Sequence, residues 1–97
     1  QYFLASVPQY AIWDDHDYGW NDADKNFPLK DTALAVFKGF WPNTYNPDTL
    51  KGNYFSYTYY DAEFIMTDDR YFRDPEGDTS GAYFGEEQMQ WLKNKLL

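Results

Sequence analysis

The chain has 97 residues, of which 43% are hydrophobic and 23% aromatic, which is enough apolar material for the core of at most one domain. So many Tyr, Phe and Trp side chains exclude a disordered chain, because these residues bury large areas when a core forms. The formal net charge of −8 argues against nucleic acid as a partner, since Asp and Glu outnumber Lys and Arg by 16 to 8, and no apolar run is long enough for membrane insertion.

The first predicted element is a short buried strand over residues 9–13 that ends in a cluster of acids. Three apolar residues run directly into Asp14-Asp15-His16-Asp17, which surrounds the only histidine of the chain. This pattern is typical of a strand that ends in a ligand loop, and enzymes of open α/β architecture keep their sites at such strand ends. Clustered Asp residues also occur in plain turns, so the residues alone leave both interpretations open.

A polar loop and a helix follow. Residues 14–30 are predicted to form the loop, and residues 31–40 the helix. Leu34 and Phe37 stand at helical spacing, and Pro42 lies just beyond the predicted end, where it would stop the helix. We interpret this helix as a packing element.

The second half of the chain predicts a hairpin and a final helix. Residues 53–60 and 62–67 are short runs rich in aromatic and apolar residues, which favours two paired strands. Residues 86–96 have an apolar stripe, acids at the start and lysines at the end, as the helix dipole favours. Together with the first strand, these elements predict an α/β fold with a mixed sheet.

The first hairpin strand could carry a stacking platform for a sugar or a base. Its aromatic residues are Tyr54, Phe55, Tyr57, Tyr59 and Tyr60. Aromatic residues on strands more often form core and cross-strand pairs, and we predict that role for them.

Two further residues are candidate substrate contacts. Arg70 follows the second hairpin strand, where an arginine can fork onto phosphate oxygens or pair with a neighbouring carboxylate. The many acids around it favour the structural pairing. Asn21 follows the acidic cluster closely enough to reach the same pocket.

Residues 12–19, Ile-Trp-Asp-Asp-His-Asp-Tyr-Gly, with Asn21 and Asp22, resemble the central block of the PhoD-like alkaline phosphatases, a branch of the calcineurin-like metallophosphoesterases. Two more segments agree in order and spacing. Residues 64–73 are similar to a strand that ends in Asp-x-Arg, and residues 85–92 to the helix that follows it. The resemblance covers most of the chain.

The resemblance implies a layered α/β sandwich with a mixed sheet and metal-dependent hydrolysis of phosphate mono- or diesters. A site lined by acids repels an anionic ester unless cations intervene, and two metal ions ~4 Å apart would bind the ester and activate a water. Calcium, iron, zinc and manganese all suit carboxylate and imidazole ligands, whereas the absence of Cys excludes a thiolate site. A secreted or periplasmic location is implied as well.

The resemblance also implies roles for single residues. Asp15 stands at the position of a metal ligand, and His16 at that of the phosphate-contacting acid. Histidine titrates near neutral pH, which suits protonation of a leaving oxygen. Asp14 and Asp17 are expected to orient the loop and the imidazole.

Two alternative functions use the same acids. A phosphatase with an aspartyl nucleophile would use Asp15 to attack phosphorus and Asp17 as its partner, although Gly19 stands where that class usually has Thr or Val. A non-enzymatic, aromatic-rich binding module could instead hold calcium for stability. The calcium-binding EF-hand pattern fails, because Phe27 stands where that loop needs Gly.

We expect residues 1–97 to be the central segment of one metallophosphoesterase catalytic domain. The superfamily takes further acidic and His ligands from strands before the central block and from a Gly-His-x-His motif after it, and neither is present here. The chain begins with Gln1, and residues 2–8 look like the end of a helix and its exit. By itself, the chain is expected to hold at most half of a metal site.

Overall fold

The computed structural model describes residues 9–45, 51–78 and 81–97. They form a small mixed α/β fold whose elements, in chain order, are helix α1 (Asp15–Tyr18), helix α2 (Lys30–Phe40), strand β1 (Phe55–Tyr59), strand β2 (Ala62–Met66) and helix α3 (Gly85–Leu96). None of the helices in this part of the chain is long and apolar enough to cross a membrane. The predicted helix end at residues 2–8 lies outside the described residues.

Helices α2 and α3 confirm two predictions, and each begins one residue earlier than expected. Helix α2 buries Leu34 and stops before Trp41, whose backbone N–H donates to Phe37 O at 2.9 Å. Helix α3 begins at Gly85, whose φ of 73° favours glycine. A side chain at this position would also place its Cβ only 2.9 Å from Phe72 Cβ. Helix α2 therefore ends directly before Trp41 and Pro42, and α3 begins at a position that favours glycine.

The hairpin is confirmed as a two-stranded antiparallel sheet in which Tyr57 faces Phe64. The rings of this cross-strand pair stack with centroids 5.0 Å apart. Tyr54 and Phe55 are buried, as expected of core residues.

The core prediction is wrong at the turn end of the hairpin. Tyr59 and Tyr60 are 62% and 86% exposed, although Tyr59 shares its strand face with Phe55 and Tyr57. Tyr10 stacks on Tyr57 at 4.0 Å and covers only the base of that face. The aromatic pattern of the strand therefore continues beyond the core.

The strand predicted over residues 9–13 is wrong, because these residues have no strand partner in the described part of the chain. The side chain of Asn43 takes the place of a neighbouring strand. Asn43 accepts from Ala11 N through Oδ1 at 2.9 Å and donates from Nδ2 to Ala11 O at 2.7 Å. Ala11 thus has both of its backbone groups satisfied without a sheet, and the buried Trp13 still ends the segment.

The main core lies between α1, α2 and the segment after β2. Its buried members are Trp13, Tyr18, Ala23, Leu34 and Tyr71. The Trp13 ring packs edge-on against Phe37 at 5.4 Å, and the Tyr18 ring meets Phe27 in the same manner at 5.3 Å. This packing fixes both ends of α1 against the core.

The Asp68 carboxylate is fully buried and lies at the centre of the hydrogen bonding. It accepts four bonds, from Trp13 Nε1 at 2.8 Å, Asn53 N at 2.7 Å, Arg70 N at 3.0 Å and Tyr71 N at 3.2 Å. The backbone of Asp68 also pairs with the buried Gln88 amide, which accepts from Asp68 N and donates to Asp68 O, both at 2.8 Å. One residue therefore joins the segment before α1, the approach to β1 and helix α3.

A second junction lies at residues 73–74. Lys25 N donates to Arg73 O at 2.9 Å, and Lys25 Nζ forms an ion pair with Asp74. Asp74 also accepts from Ala82 N at 2.8 Å. The Lys25 ammonium, followed by the Ala82 N–H, lowers the pKa of the Asp74 carboxyl.

We predict that Asp68→Asn costs about 3 kcal/mol of unfolding free energy. The Asn side chain has an NH₂ group in place of one carboxylate oxygen, so an N–H group that donated to that oxygen stays buried without an acceptor. Urea unfolding followed by Trp fluorescence measures this loss. Asp69→Asn is the matched control, since its carboxylate is partly exposed and is expected to cost less than about 1 kcal/mol. Equal losses in both variants would contradict the central role of Asp68.

A pH dependence follows from the lowered pKa of Asp74. Stability from this carboxylate is present above its ordinary pKa of 3.8 and is lost as the pH falls through the lower value of the folded state. We therefore expect Asp74→Asn to be less stable than the wild type at neutral pH and to lose less stability on acidification. Thermal unfolding between about pH 6 and 2 checks this, with the exposed Lys51→Met as a control that should follow the wild type.

Candidate functional site

The acidic cluster folds as a one-turn helix at the surface. Asp14 is the N-cap of α1, and its Oδ1 accepts from Asp15 N at 2.9 Å. The Asp14 side chain also accepts from Asp17 N, and Asp14 N donates to Asp17 Oδ2 at 3.2 Å; these two reciprocal bonds form a capping box. The buried Tyr18 closes the turn, and its hydroxyl donates to Asp24 O at 2.7 Å. The predicted loop over residues 14–30 is therefore wrong at its start, because the acids cap a helix.

The Asp15 carboxylate is held by two backbone groups. Oδ1 accepts from His16 N at 2.8 Å, and Oδ2 accepts from Asp22 N at 3.1 Å. The hydrogen bond from Asp22 N–H is the main reason that the pKa of Asp15 is lowered. At neutral pH the site thus contains a fixed, ionised carboxylate.

His16 presents its imidazole to solvent beside this carboxylate. The side chain is 74% exposed, and Nδ1 lies 3.8 Å from Asp15 Oδ1. An accessible imidazole can donate a proton to, or hold, an oxygen of a bound molecule. The structure brings the two predicted residues together at the start of a helix, not at the strand end that we expected.

Arg70 reaches the same helix from the other half of the chain. Its Nη2 donates to Asp14 Oδ1 at 2.7 Å, and its Nε lies 3.8 Å from Asp69 Oδ1. The Arg70 hydrogen bond is the largest cause of the lowered pKa of Asp14. The structural pairing predicted for Arg70 is therefore confirmed.

Asn21 lies near the site without joining it directly. It is exposed, and its Nδ2 donates to Asp22 Oδ2 at 3.0 Å, while Asp22 N is bound to Asp15. Asp22 has a φ of 55°, which turns the chain back toward α1. A substrate contact from Asn21 stays a prediction.

An open cleft of 470 Å³ lies beside α1. Ile12, Trp13 and Phe84 form its apolar part, and the carboxylates of Asp14, Asp17 and Asp69 line its edge. Asp15 and His16 lie outside this lining. The cleft therefore adjoins the predicted site through the acids expected to orient it.

The predicted metal site is not complete within the described residues. Among them, no group of three or more His, Cys, Asp or Glu side chains could hold a metal ion. A hydrolytic metal needs about three protein ligands and an open position. Asp15 is the predicted ligand among them, and each of its carboxylate oxygens keeps a lone pair beyond its backbone bond.

The geometry disfavours the aspartyl-nucleophile alternative. Asp15 and Asp17 are two positions apart on a helical turn, and such side chains do not face each other. Asp17 is also engaged by the backbone of Asp14. Asp17 therefore serves the capping box, whereas the Asp15 carboxylate is held by His16 N and Asp22 N, so the two carboxylates have separate structural roles.

The sequence analysis missed the residues that hold the site in place. Asp68, Asn53 and Gln88 are fully buried, whereas the prediction singled out Arg70 as a candidate contact. The sequence marked Asp68 only as the acid of Asp-x-Arg after a predicted strand, which gave it no structural role. Nothing in the residue types separates Asp68 from Asp69, since the difference depends on Trp13 and Gln88, which are far along the chain.

No protein-family model, no curated protein and no solved structure matches the chain.

Proposed function

We propose that the chain contributes Asp15, as a metal ligand, and His16, as a phosphate-contacting acid, to a metal-dependent phosphoesterase of the PhoD-like type. The substrate is a phosphate mono- or diester. The surrounding domain is proposed to be the layered α/β sandwich of the metallophosphoesterases, of which the hairpin and helices described above would be a part.

The juxtaposition of Asp15 and His16 is the observation that carries the proposal. The carboxylate is ionised and held by two N–H groups, and the neighbouring imidazole is exposed on the same turn. A metal ligand needs to be ionised and held in place, as Asp15 is, and an acid that contacts substrate needs to be exposed, as His16 is. A bound metal ion would supply charge neutralisation for the phosphate and an activated water.

The residues of the chain have separate tasks in this proposal. His16 donates a proton to, or holds, an oxygen of the ester from the solvent side of α1. Asp14 and Asp17 keep the turn in its capped form through the two bonds of the capping box. Metal ligands other than Asp15 would come from residues that the proposal does not name.

We predict that the parent protein, loaded with zinc, manganese, calcium or ferric iron, hydrolyses p-nitrophenyl phosphate or its bis-ester. Asp15→Asn and His16→Ala should each lower kcat/KM by at least about 100-fold, because one removes a ligand and the other an acid. Asp61→Asn, an exposed acid in the hairpin turn, is the matched control and should keep full activity. Absence of hydrolysis with every metal, or full activity in both site variants, would contradict the proposal.

The isolated 97-residue chain is predicted to bind metal weakly and to catalyse no hydrolysis, because it offers one His and no Cys for the required ligands. Calorimetric titration with zinc and with manganese, combined with a phosphatase assay, is the test. Tight binding of two ions per chain with turnover would show that the chain holds the complete site.

A further inference from the structure

We propose that Arg70 is a positioning residue that holds α1 in place through Asp14 and does not contact the phosphate. The inference rests on the proposed function, because the residues it positions are Asp15 and His16. It assigns to Arg70 a role different from the phosphate fork that its residue type suggests.

The first argument is the path of hydrogen bonds. Asp14 Oδ1 accepts both from Arg70 Nη2, at 2.7 Å, and from Asp15 N, at 2.9 Å. The same carboxylate oxygen thus ties the guanidinium to the first residue of α1. Because Asp15 and His16 open this helix, the direction of their side chains depends on where Asp14 is held.

The second argument is the burial of the guanidinium. The Arg70 side chain is 9% exposed, and its Nε and Nη1 are buried and donate no hydrogen bond. A fork onto phosphate needs two N–H groups that face the ligand from one side. An arriving phosphate would meet only Nη2, which Asp14 already occupies.

The third argument is the rigidity of the support. Arg70 N donates to Asp68 Oδ1 at 3.0 Å, and the same oxygen accepts from Trp13 Nε1 at 2.8 Å. Trp13 and Asp14, the two residues before α1, are therefore both hydrogen-bonded to residues 68–70. Such supporting contacts set the direction of a ligand and typically change metal affinity or activity by 10–100-fold when removed.

The test uses the full chain labelled with ¹⁵N, with Mn²⁺ as the metal probe. Paramagnetic broadening of the Asp15 and His16 amides gives the Mn²⁺ dissociation constant, and hydrogen exchange gives the order of α1. Arg70→Met and Asp14→Asn should each raise the dissociation constant about tenfold and speed the exchange of residues 15–18, and the double variant should go no further. Arg70→Lys should recover part of the loss. Arg73→Met, whose guanidinium lies over the Tyr83 ring, is the control and should behave as the wild type.

Inorganic phosphate separates positioning from substrate contact. With positioning, added phosphate leaves the Arg70 Nε–H resonance unchanged; a shift of that resonance would overturn the proposal. So would exchange and Mn²⁺ affinity in Arg70→Met that match those of Arg73→Met. If Arg70→Met does not fold, Asp14→Asn breaks the same pair from its exposed side. If Mn²⁺ broadens neither amide in the wild type, the proposed metal role of Asp15 fails, and hydrogen exchange alone decides on Arg70.

Discussion

The fold depends on one buried carboxylate. Burying the charge of Asp68 is costly unless it is compensated, and four N–H donors surround it. These donors belong to segments far apart in the chain, so the charge can be satisfied only when the segments have assembled. Trp13 is the donor nearest the site, and its position therefore depends on a residue that is 55 positions away.

The candidate site depends on this assembly at both of its ends. Trp13 and Asp14 are fastened to Asp68 and Arg70, and Lys25 is fastened to Arg73 and Asp74. The chain between them is an arc whose inner side packs Tyr18 and Ala23 into the core. Asp15 and His16 lie on the outer side of this arc, where the imidazole is open to solvent. Buried groups thus hold the segment in place, and the groups proposed to carry the chemistry are exposed.

Local signals predicted four of the five elements: α2, β1, β2 and α3. Helical spacing with Pro42, the aromatic hairpin runs and the charged ends of α3 all act within a few residues, and these elements are confirmed. The predictions are wrong where the structure of a segment depends on residues far along the chain. Asn43 replaces a neighbouring strand beside Ala11, and the core ends before Tyr59. The sequence placed the candidate site residues in one short segment, but their helical turn was missed because Asp14 was interpreted as a loop acid instead of a cap.

Exchange of the indole N–H groups tests the central role of Asp68 most directly. The Trp13 Nε1–H donates to the buried carboxylate, whereas Trp20 is 60% exposed and serves as an internal reference in the same spectrum. The account predicts that the Trp13 indole proton exchanges as slowly as the most protected backbone amides, because its release requires global unfolding. If the Trp13 indole proton exchanged as fast as that of Trp20, the central role of Asp68 in the fold would be contradicted.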